Sequence, residues 1–365
     1  MRLADRSASR ASNNFNALRL LAAGLVVISH SYPLTGYVEP KFCRQLVGTI
    51  GVAIFFSISG YLVAKSWDGD PRPWHYIIKR ALRLLPGLFV VILLLGLVVG
   101  PLLSDLSLFA YFKHLAVYRF IGQESVLYTF SGGSLPGVFT HNPYPGTIDG
   151  SLWTLPLEAL AYVGAACLGA FGALRGRRRL SLVSLLVLTV LISPVVDNRA
   201  ISIPGPLHPI LPEALYFWAL FNAGSVLYAY RERIVLRWGI FALLLVACVA
   251  LGQTSWFYVG SLVFIPYGVL VLAYRTSPDL AILTAPGDVS YGVYIYAFPV
   301  QQVIARLWGR GLGPAGMLTL SLVPVYLLAL VSWRTIESPA LKLKQRFTAR
   351  AVHPNSFPPP PISGG

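Results

Sequence analysis

Charged residues are scarce in this sequence. Only 12% of the 365 residues are charged, and acidic residues are the scarcer sign, with 14 Asp and Glu against 29 Lys and Arg. So little charge, together with 55% hydrophobic residues and a mean hydropathy of +0.65, excludes a soluble protein of several domains. Because one bilayer span takes about 20 apolar residues, spans would use most of the chain and leave short connections. The composition predicts an all-α polytopic membrane protein.

Cysteine is also rare. The three cysteines, Cys43, Cys167 and Cys248, are far apart, and two of them lie in apolar segments, so neither a disulfide framework nor a zinc site is indicated. The basic residues interrupt apolar runs and do not form a separate basic surface of the kind that binds nucleic acid. We therefore expect no metal and no nucleic-acid partner, and we attribute the basic residues to membrane orientation.

Apolar runs near spanning length recur along the chain. They predict about ten transmembrane helices, over 15–34, 46–64, 84–103, 150–174, 180–196, 210–230, 238–253, 256–274, 287–308 and 315–333. With the N-terminus inside, the inner connections hold roughly three times as many Lys and Arg as the outer ones. This asymmetry predicts that both termini are cytoplasmic. It also favours a multi-pass protein of the cell inner (cytoplasmic) membrane.

The spans form one predicted transmembrane domain over 15–345. A cytoplasmic tail at 1–14 precedes it, and a disordered cytoplasmic tail at 346–365 follows it. The longest connection, 104–149, lies outside in this topology, and its second half is rich in glycine and proline. A loop of this length between membrane helices is more often functional than idle.

Ionisable side chains inside the bilayer cost about 2.5–3.5 kcal/mol each and therefore indicate candidate functional sites. In the first span, Arg19 and His30 are separated by about 1100° of helix rotation, about 20° beyond three full turns. They share one helical face, about 16 Å apart along the axis. Alternatively, Arg19 extends to the lipid phosphates and a neighbouring helix satisfies His30.

Glu158, in the fourth span, is the third such residue. It lies about 10 Å below the outer boundary, and His30 lies about 8 Å below it. At matching depth, the carboxylate could bind the imidazole of His30 and favour the tautomer of a general base. Alternatively, Glu158 pairs with another group or caps a turn broken by Pro156.

Two arginines open the third span. Arg80 and Arg83 are three residues apart and adjacent on one helical face, and paired guanidiniums suit bidentate phosphate binding. The alternative is ordinary positive-inside anchoring. In the second span, the small residues Ser57, Ser59 and Gly60 either allow close helix contact or admit a narrow ligand.

Motifs occur on these same spans in a fixed order. They are an Arg and a His separated by ten residues, Phe-Phe-x-x-Ser-Gly-Tyr, Arg-x-x-Arg, Gly-Ser-Leu-Trp-Thr-Leu-x-x-Glu, Tyr-Gly-Val-Tyr-Ile-Tyr-Ala-Phe-Pro and Glu-Ser-Pro. Over about residues 14–345 the sequence resembles the acyltransferase-3 family of integral membrane O-acyltransferases. It departs from the family pattern at Asn16, Ala297 and Asp149, where the family commonly has an acid, a histidine and an asparagine.

The resemblance implies O-acylation, commonly O-acetylation, of a carbohydrate such as lipopolysaccharide or exopolysaccharide. It also implies acyl-CoA as donor, acetyl-CoA in the first instance. It implies that His30 is the essential histidine, with Arg19 as its motif partner. The positions implied for donor binding, including the lining of the donor path, are Arg80, Arg83, Ser59 and Gly60.

The residues and the resemblance together suggest a mechanism. Acyl-CoA would bind from the cytoplasm with its phosphates on the arginines, and its extended arm would reach up the bundle. His30 would act either as general base for a sugar hydroxyl or as a transient acyl acceptor. We favour the general base, with Glu158 and Arg19 as the other catalytic residues.

On the acceptor side, the predicted substrate-binding residues are Trp153, Asp149 and Asn142. The expected partners are a carbohydrate or glycolipid acceptor of the cell envelope or of an exported polysaccharide, and membrane lipids. The alternative function is a polytopic transporter of lipid-linked sugar or small acids.

Overall fold

The computed structural model describes residues 2–8, 13–128, 130, 132–197, 210–254, 256–275 and 285–349. Two of the described segments fall in the predicted tails and are helical. α1 (Leu3–Ala8) lies in the first tail, where Leu3 N–H donates to the carbonyl of Ile234 at 2.9 Å. The last helix continues to Ala349, and the remainder of the predicted C-terminal tail lies outside the described residues.

The described residues are almost entirely helical, with one two-stranded hairpin, β1 (Lys41–Phe42) and β2 (Gln45–Leu46). The long helices are α2 (Phe15–Ser31), α3 (Val47–Gly69), α4 (Pro73–Leu94), α8 (Leu155–Ala170), α9 (Arg179–Asp197), α10 (Leu211–Ala229), α11 (Trp238–Ala250), α12 (Phe257–Arg275), α13 (Ser290–Trp308) and α14 (Gly313–Ser332). The shorter ones are α5 (Gly100–Leu103), α6 (Leu108–Lys113), α7 (Leu115–Ser125) and α15 (Ser338–Ala349). One π-helical turn joins α4 to α5 at Leu95–Val99, and another joins α14 to α15 at Trp333–Glu337.

Each of the ten predicted intervals overlaps a helix, but the membrane crossings are only partly established. In the described part of the chain, six helical stretches are long and apolar enough to cross a membrane. They are Phe15–Thr35, Val47–Gly69, Pro73–Leu103, Leu152–Ala170, Phe257–Arg275 and Gly313–Leu343. The number of ten crossings and the cytoplasmic position of both termini stay predictions. In the predicted orientation, the Arg19 end of α2 is the inner end and the His30 end is the outer end.

The third helix begins earlier than its apolar run indicates. α4 begins at Pro73, whose fixed φ suits the first helical position, whereas the predicted span began at residue 84. Arg80 and Arg83 therefore lie in the interior of a continuous helix and not at its entrance. The apolar run predicted the span and missed the first 11 residues of the helix, about three turns.

Close helix contacts place α3 between α2 and α10. A Cβ on Gly51 would lie 2.5 Å from the carbonyl oxygen of Ala22, and one on Gly60 would lie 1.8 Å from that of Phe221. Only glycine permits such backbone approach at these two positions. α2 and α10 therefore lie against opposite sides of α3, and α2 and α3 together form one wall of the cavity described next.

Candidate active site

A cavity of about 400 Å³ opens between α2, α3, α4, α8 and α13. Five of the predicted site residues line it: Arg19, Ser59, Arg80, Arg83 and Glu158. Its apolar lining includes Val52, Phe55, Phe56 and Leu155, and its polar lining includes Asp288, Ser290, Tyr291 and Tyr294. The cations lie together among apolar walls, an arrangement suited to a ligand with an anionic head and a less polar body.

Arg19 and Arg83 meet on one carboxylate, that of Asp288, just before α13. Arg19 Nη1 lies 3.1 Å from Asp288 Oδ2, and Arg83 Nη2 lies 2.7 Å from the same oxygen. The two guanidiniums compensate the charge of this buried carboxylate directly. Arg19 is thus ion-paired inside the bundle, and the alternative in which it extends to lipid is wrong. Sequence reasoning missed Asp288, although an acid beside the ninth-span motif was a usable signal.

Arg80 has a different environment from the other two arginines. Its guanidinium carbon lies 5.9 Å from the ring centre of Tyr76 and 5.6 Å from that of Tyr162. Its Nε is buried without a hydrogen-bond partner, and no carboxylate among the described residues forms an ion pair with it. A cation held between aromatic rings and lacking a counter-ion is suited to bind an anion from the cavity.

Glu158 does not bind His30. Its carboxylate accepts a hydrogen bond from the hydroxyl of Tyr162, one turn later on α8, and it faces the cavity that Arg19 and Arg83 line. The predicted pairing rested on equal depth, which says nothing about the rotation of a helix about its axis. The segment Leu152–Thr154 is also a 3₁₀ turn, so the helical count from Ser151 started in the wrong geometry.

His30 lies outside the cavity. Its ring packs edge-on against Phe298 of α13, with centres 5.1 Å apart, and its buried Nδ1 has no hydrogen-bond partner among the described residues. In the described residues, no neighbouring helix therefore supplies a hydrogen bond to Nδ1, as the alternative interpretation of His30 requires. Phe298 in turn packs on Gly150, where a Cβ would lie 2.4 Å from the ring.

Two helices place His30 about one turn beyond the outer end of the cavity. On α3, the N–H of Gly48 donates to Ser29 Oγ at 2.8 Å, and Val52, four residues further inward, lines the cavity. On α13, Tyr294 lines the cavity and Phe298, four residues further outward, contacts His30. Four helical residues rise about 6 Å, so the cavity ends about that far short of the imidazole.

The outer loop is fastened to α13 through Asn142. Its Nδ2 donates to the backbone oxygen of Gln302 at 2.9 Å and to Gln302 Oε1 at 2.7 Å. Gln302 Nε2 donates in turn to the carbonyls of Tyr144 and Thr147, at 2.9 and 2.8 Å. The amide of Asn142 is thus engaged in holding the loop.

The other two predicted acceptor residues lie near the start of the fourth span. Asp149 is fully buried; its Oδ1 accepts the N–H of Ser151 at 2.9 Å, and its Oδ2 has no partner within the described chain. Burial raises the pKa of Asp149 to about 8. Trp153 is partly buried, with its ring 6.1 Å from that of Phe217. Neither residue lines the cavity.

The two small residues of the second-span motif have different environments. Ser59 lines the cavity, whereas Gly60 contacts the backbone of Phe221 on α10. Gly60 therefore does not line the cavity, and the alternative interpretation, close helix contact, is correct for it.

Tyrosines of α13 and α8 complete the cavity, and sequence reasoning gave them no role. The ring of Tyr291 lies 5.9 Å from the guanidinium of Arg83. The hydroxyl of Tyr294 is 2.6 Å from Thr154 Oγ1 at the outer part of the cavity. Their spacing of three residues puts both rings on one face of α13, a usable signal in the ninth-span motif.

The order of these motifs matches a known family. The family model described as "Acyltransferase domain" (acyltransferase-3) matches residues 12–334. The chain belongs to the acyltransferase-3 family. Because its helices also include several of spanning length and apolarity, this acyltransferase is a multi-pass membrane protein.

Two curated relatives align along almost their whole length. The acyltransferase is 33% identical over 338 residues to an O-acetyl transferase of Shigella phage Sf6, covering 89% of this chain and 95% of that protein. It is 28% identical over 366 residues to nodulation protein 10 of Rhizobium leguminosarum bv. viciae, covering 93% of this chain and 96% of that protein. No solved structure gives a significant match.

Proposed function

We propose that this protein transfers an acyl group, acetyl in the first instance, from cytoplasmic acyl-CoA to a hydroxyl of a cell-envelope or exported carbohydrate. The observation that carries the proposal is Arg80, a cation in a membrane-protein cavity with two aromatic neighbours and, among the described residues, no carboxylate within ion-pair distance. Family membership and the phage relative named O-acetyl transferase favour acyl transfer over the transporter alternative.

The donor end of the proposal uses the three arginines. The phosphates of CoA bind Arg80 together with the free N–H groups of Arg19 and Arg83, because guanidiniums bind phosphate oxygens in bidentate fashion. The less polar pantetheine arm then extends along the apolar walls, past Phe55, towards Tyr294. The residues present fit such a donor, with cations grouped together and aromatic and aliphatic groups beyond them.

The transfer step is assigned to His30. Its imidazole takes the proton of the acceptor hydroxyl as the oxygen forms a bond to the thioester carbonyl; the carbon–sulfur bond breaks, and the proton passes to the CoA thiolate. Acyl-histidine formation is the other route. We favour the general base, now without Glu158 as its partner. Glu158 instead acts through Tyr162, which it orients beneath Arg80.

The acceptor end of the proposal lies at the outer loop. The carboxyl of Asp149, kept neutral by burial, donates its O–H at the unpartnered Oδ2 to an oxygen of the sugar, and the indole of Trp153 offers an aromatic face. Asn142 contributes by holding the loop on α13 through Gln302. In this arrangement the donor and the acceptor approach His30 from opposite ends of the bundle.

The test follows labelled acetyl from acetyl-CoA to an envelope glycan extract, with purified protein in nanodiscs. Wild type is compared with Arg80→Gln and with Arg231→Gln. Arg231 is a matched control because it also lies over a tyrosine, 4.2 Å from the ring centre of Tyr228, but is paired with Asp68 away from the cavity.

Two results support the proposal. Wild type and Arg231→Gln form an alkali-labile ester on the glycan, and Arg80→Gln has a raised KM for acetyl-CoA. Equal KM values in all three proteins contradict the donor site. Transfer by none of them, across several acyl-CoA donors and extracts, contradicts the function.

A further inference from the structure

Asp288 is held in a fixed position by the backbone around it. Gly287 has φ +124°, and a Cβ there would lie 1.9 Å from Nε1 of Trp333, so this backbone lies directly against that ring. Ser290 Oγ donates to Asp288 Oδ1 at 2.5 Å, at the start of α13. Asp288 itself is 7% exposed. Its second oxygen, Oδ2, is thereby directed at the arginines from an anchored backbone.

That oxygen receives two guanidiniums from two different helices. Arg19 of α2 and Arg83 of α4 donate to Oδ2 at 3.1 and 2.7 Å. Among the described residues, no other carboxylate lies within ion-pair distance of either arginine. Two buried like charges repel strongly in a medium of low dielectric constant, so the carboxylate between them is what keeps them together.

The shared carboxylate leaves most donors of both arginines available. A guanidinium has five N–H groups, and the contact to Asp288 uses one nitrogen of each. Both side chains line the cavity. We infer that Asp288 is a positioning residue for the donor: it holds Arg19 and Arg83 in one geometry, so that their free N–H groups bind the phosphates of acyl-CoA. This inference rests on the proposed function.

The test separates donor recognition from folding. Asp288→Asn keeps the shape and removes the charge that holds the arginines, so KM for acyl-CoA rises about tenfold with kcat little changed. An S-acyl pantetheine, which lacks the nucleotide phosphates, is used equally well by wild type and variant. Asp288→Glu restores part of the affinity because it restores the carboxylate.

Asp68→Asn is the matched control. Asp68 also accepts from an arginine, Arg231, at 3.2 Å, but does not line the cavity, so KM for acyl-CoA stays at the wild-type value. In an Arg83→Gln background, Asp288→Asn has a smaller effect than in wild type, because the two residues act as one unit.

A folded Asp288→Asn protein with an unchanged or lower KM for acyl-CoA overturns the inference while leaving the proposed function intact. If no acceptor is found, calorimetry still measures the affinity of each protein for CoA directly. Binding by wild type and weaker binding by Asp288→Asn support the inference without any acyl transfer. Absence of both transfer and CoA binding in wild type overturns the proposed function and this inference together.

Discussion

The hydroxyl of Tyr162 donates a hydrogen bond to the carboxylate of Glu158, and the ring of the same tyrosine lies 5.6 Å from the guanidinium of Arg80. One side chain thus links an acid of the fourth span to the unpaired cation of the cavity. The carboxylate that was expected to orient a catalytic imidazole instead lines the cavity together with the arginines.

Removal of the Tyr162 ring and removal of its hydroxyl should therefore differ in effect. Tyr162→Phe keeps the ring against Arg80 but removes the hydroxyl through which Glu158 orients it, so we expect a smaller loss of CoA affinity than for Tyr162→Leu. Tyr162→Leu removes a cation–π contact of about 1–2 kcal/mol and lowers affinity about five- to thirtyfold. Calorimetric titration of both variants with CoA checks this. Equal losses in the two would mean that the hydroxyl, and not the ring, supports Arg80.

Substitution of His30 should affect the chemical step alone. His30→Gln lowers kcat by about 10²- to 10⁴-fold, the usual contribution of a general base, while CoA binds as in wild type because His30 lies outside the cavity. Single-turnover transfer and CoA titration on the same preparation measure the two quantities. His141→Gln, at a side chain 85% exposed in the outer loop, is the control and retains activity. A His30 variant with wild-type kcat would remove this residue from the mechanism.

Asp149 should give the protein a particular pH dependence. Burial raises its pKa from 3.8 to about 8 in the folded state, so the fold favours the protonated form. Its contribution to stability is fully present below pH 3.8 and is lost as pH rises through about 8. We expect the thermal midpoint of wild type to fall relative to that of Asp149→Asn between pH 5 and 8.5. A constant difference between the two proteins over that range would contradict the protonated state.

The contact between α3 and α10 should tolerate no side chain at residue 60. Gly60→Ala puts a Cβ 1.8 Å from the Phe221 carbonyl and forces the helices apart, at a cost of about 1–3 kcal/mol or more. Gly24→Ala, on α2, has nothing within 4 Å of the new methyl group and is the control. Size-exclusion profiles and thermal midpoints after detergent extraction compare them. Equal midpoints for the two variants would show that the contact is looser than the structure has it.

The sequence alone identified several of the residues that line the cavity. The apolar runs predicted the helices. Arg19 was selected because a charge inside a bilayer is costly, and Arg80 and Arg83 because two guanidiniums on one helical face suit phosphate. All three line the cavity. The predicted pairing of Glu158 with His30 was wrong because counting residues gives the depth of a side chain along a helix but not its direction around the helix axis. The direction of Glu158 depends on how α8 packs against its neighbours.

Asp288 and Gly60 also show that a single sequence does not reveal which residues face each other in the fold. The position of Asp288 beside the ninth-span motif was visible, but its pairing was not, because Arg19 and Arg83 come from segments more than 200 residues away and only the folded chain brings them to one oxygen. Gly60 belongs to a motif that admits either a ligand or a helix contact, and its neighbour decides which. In both cases the missing information is the identity of the residue opposite, which a single sequence does not contain.

If the donor binds as proposed, the distance along α2 from Arg19 to His30, about 16 Å, sets the length that the arm of the acyl carrier must have. A carrier whose arm is shorter than this leaves its thioester inside the cavity, one turn short of the imidazole. A carrier with an arm of sufficient length but without phosphates has no anionic group for the arginines to bind. Selection among acyl donors would then depend first on the length of the carrier arm, because that arm must extend from the Arg19–Asp288 ion pair to Phe298 beside His30. The acyl group itself would be the second criterion.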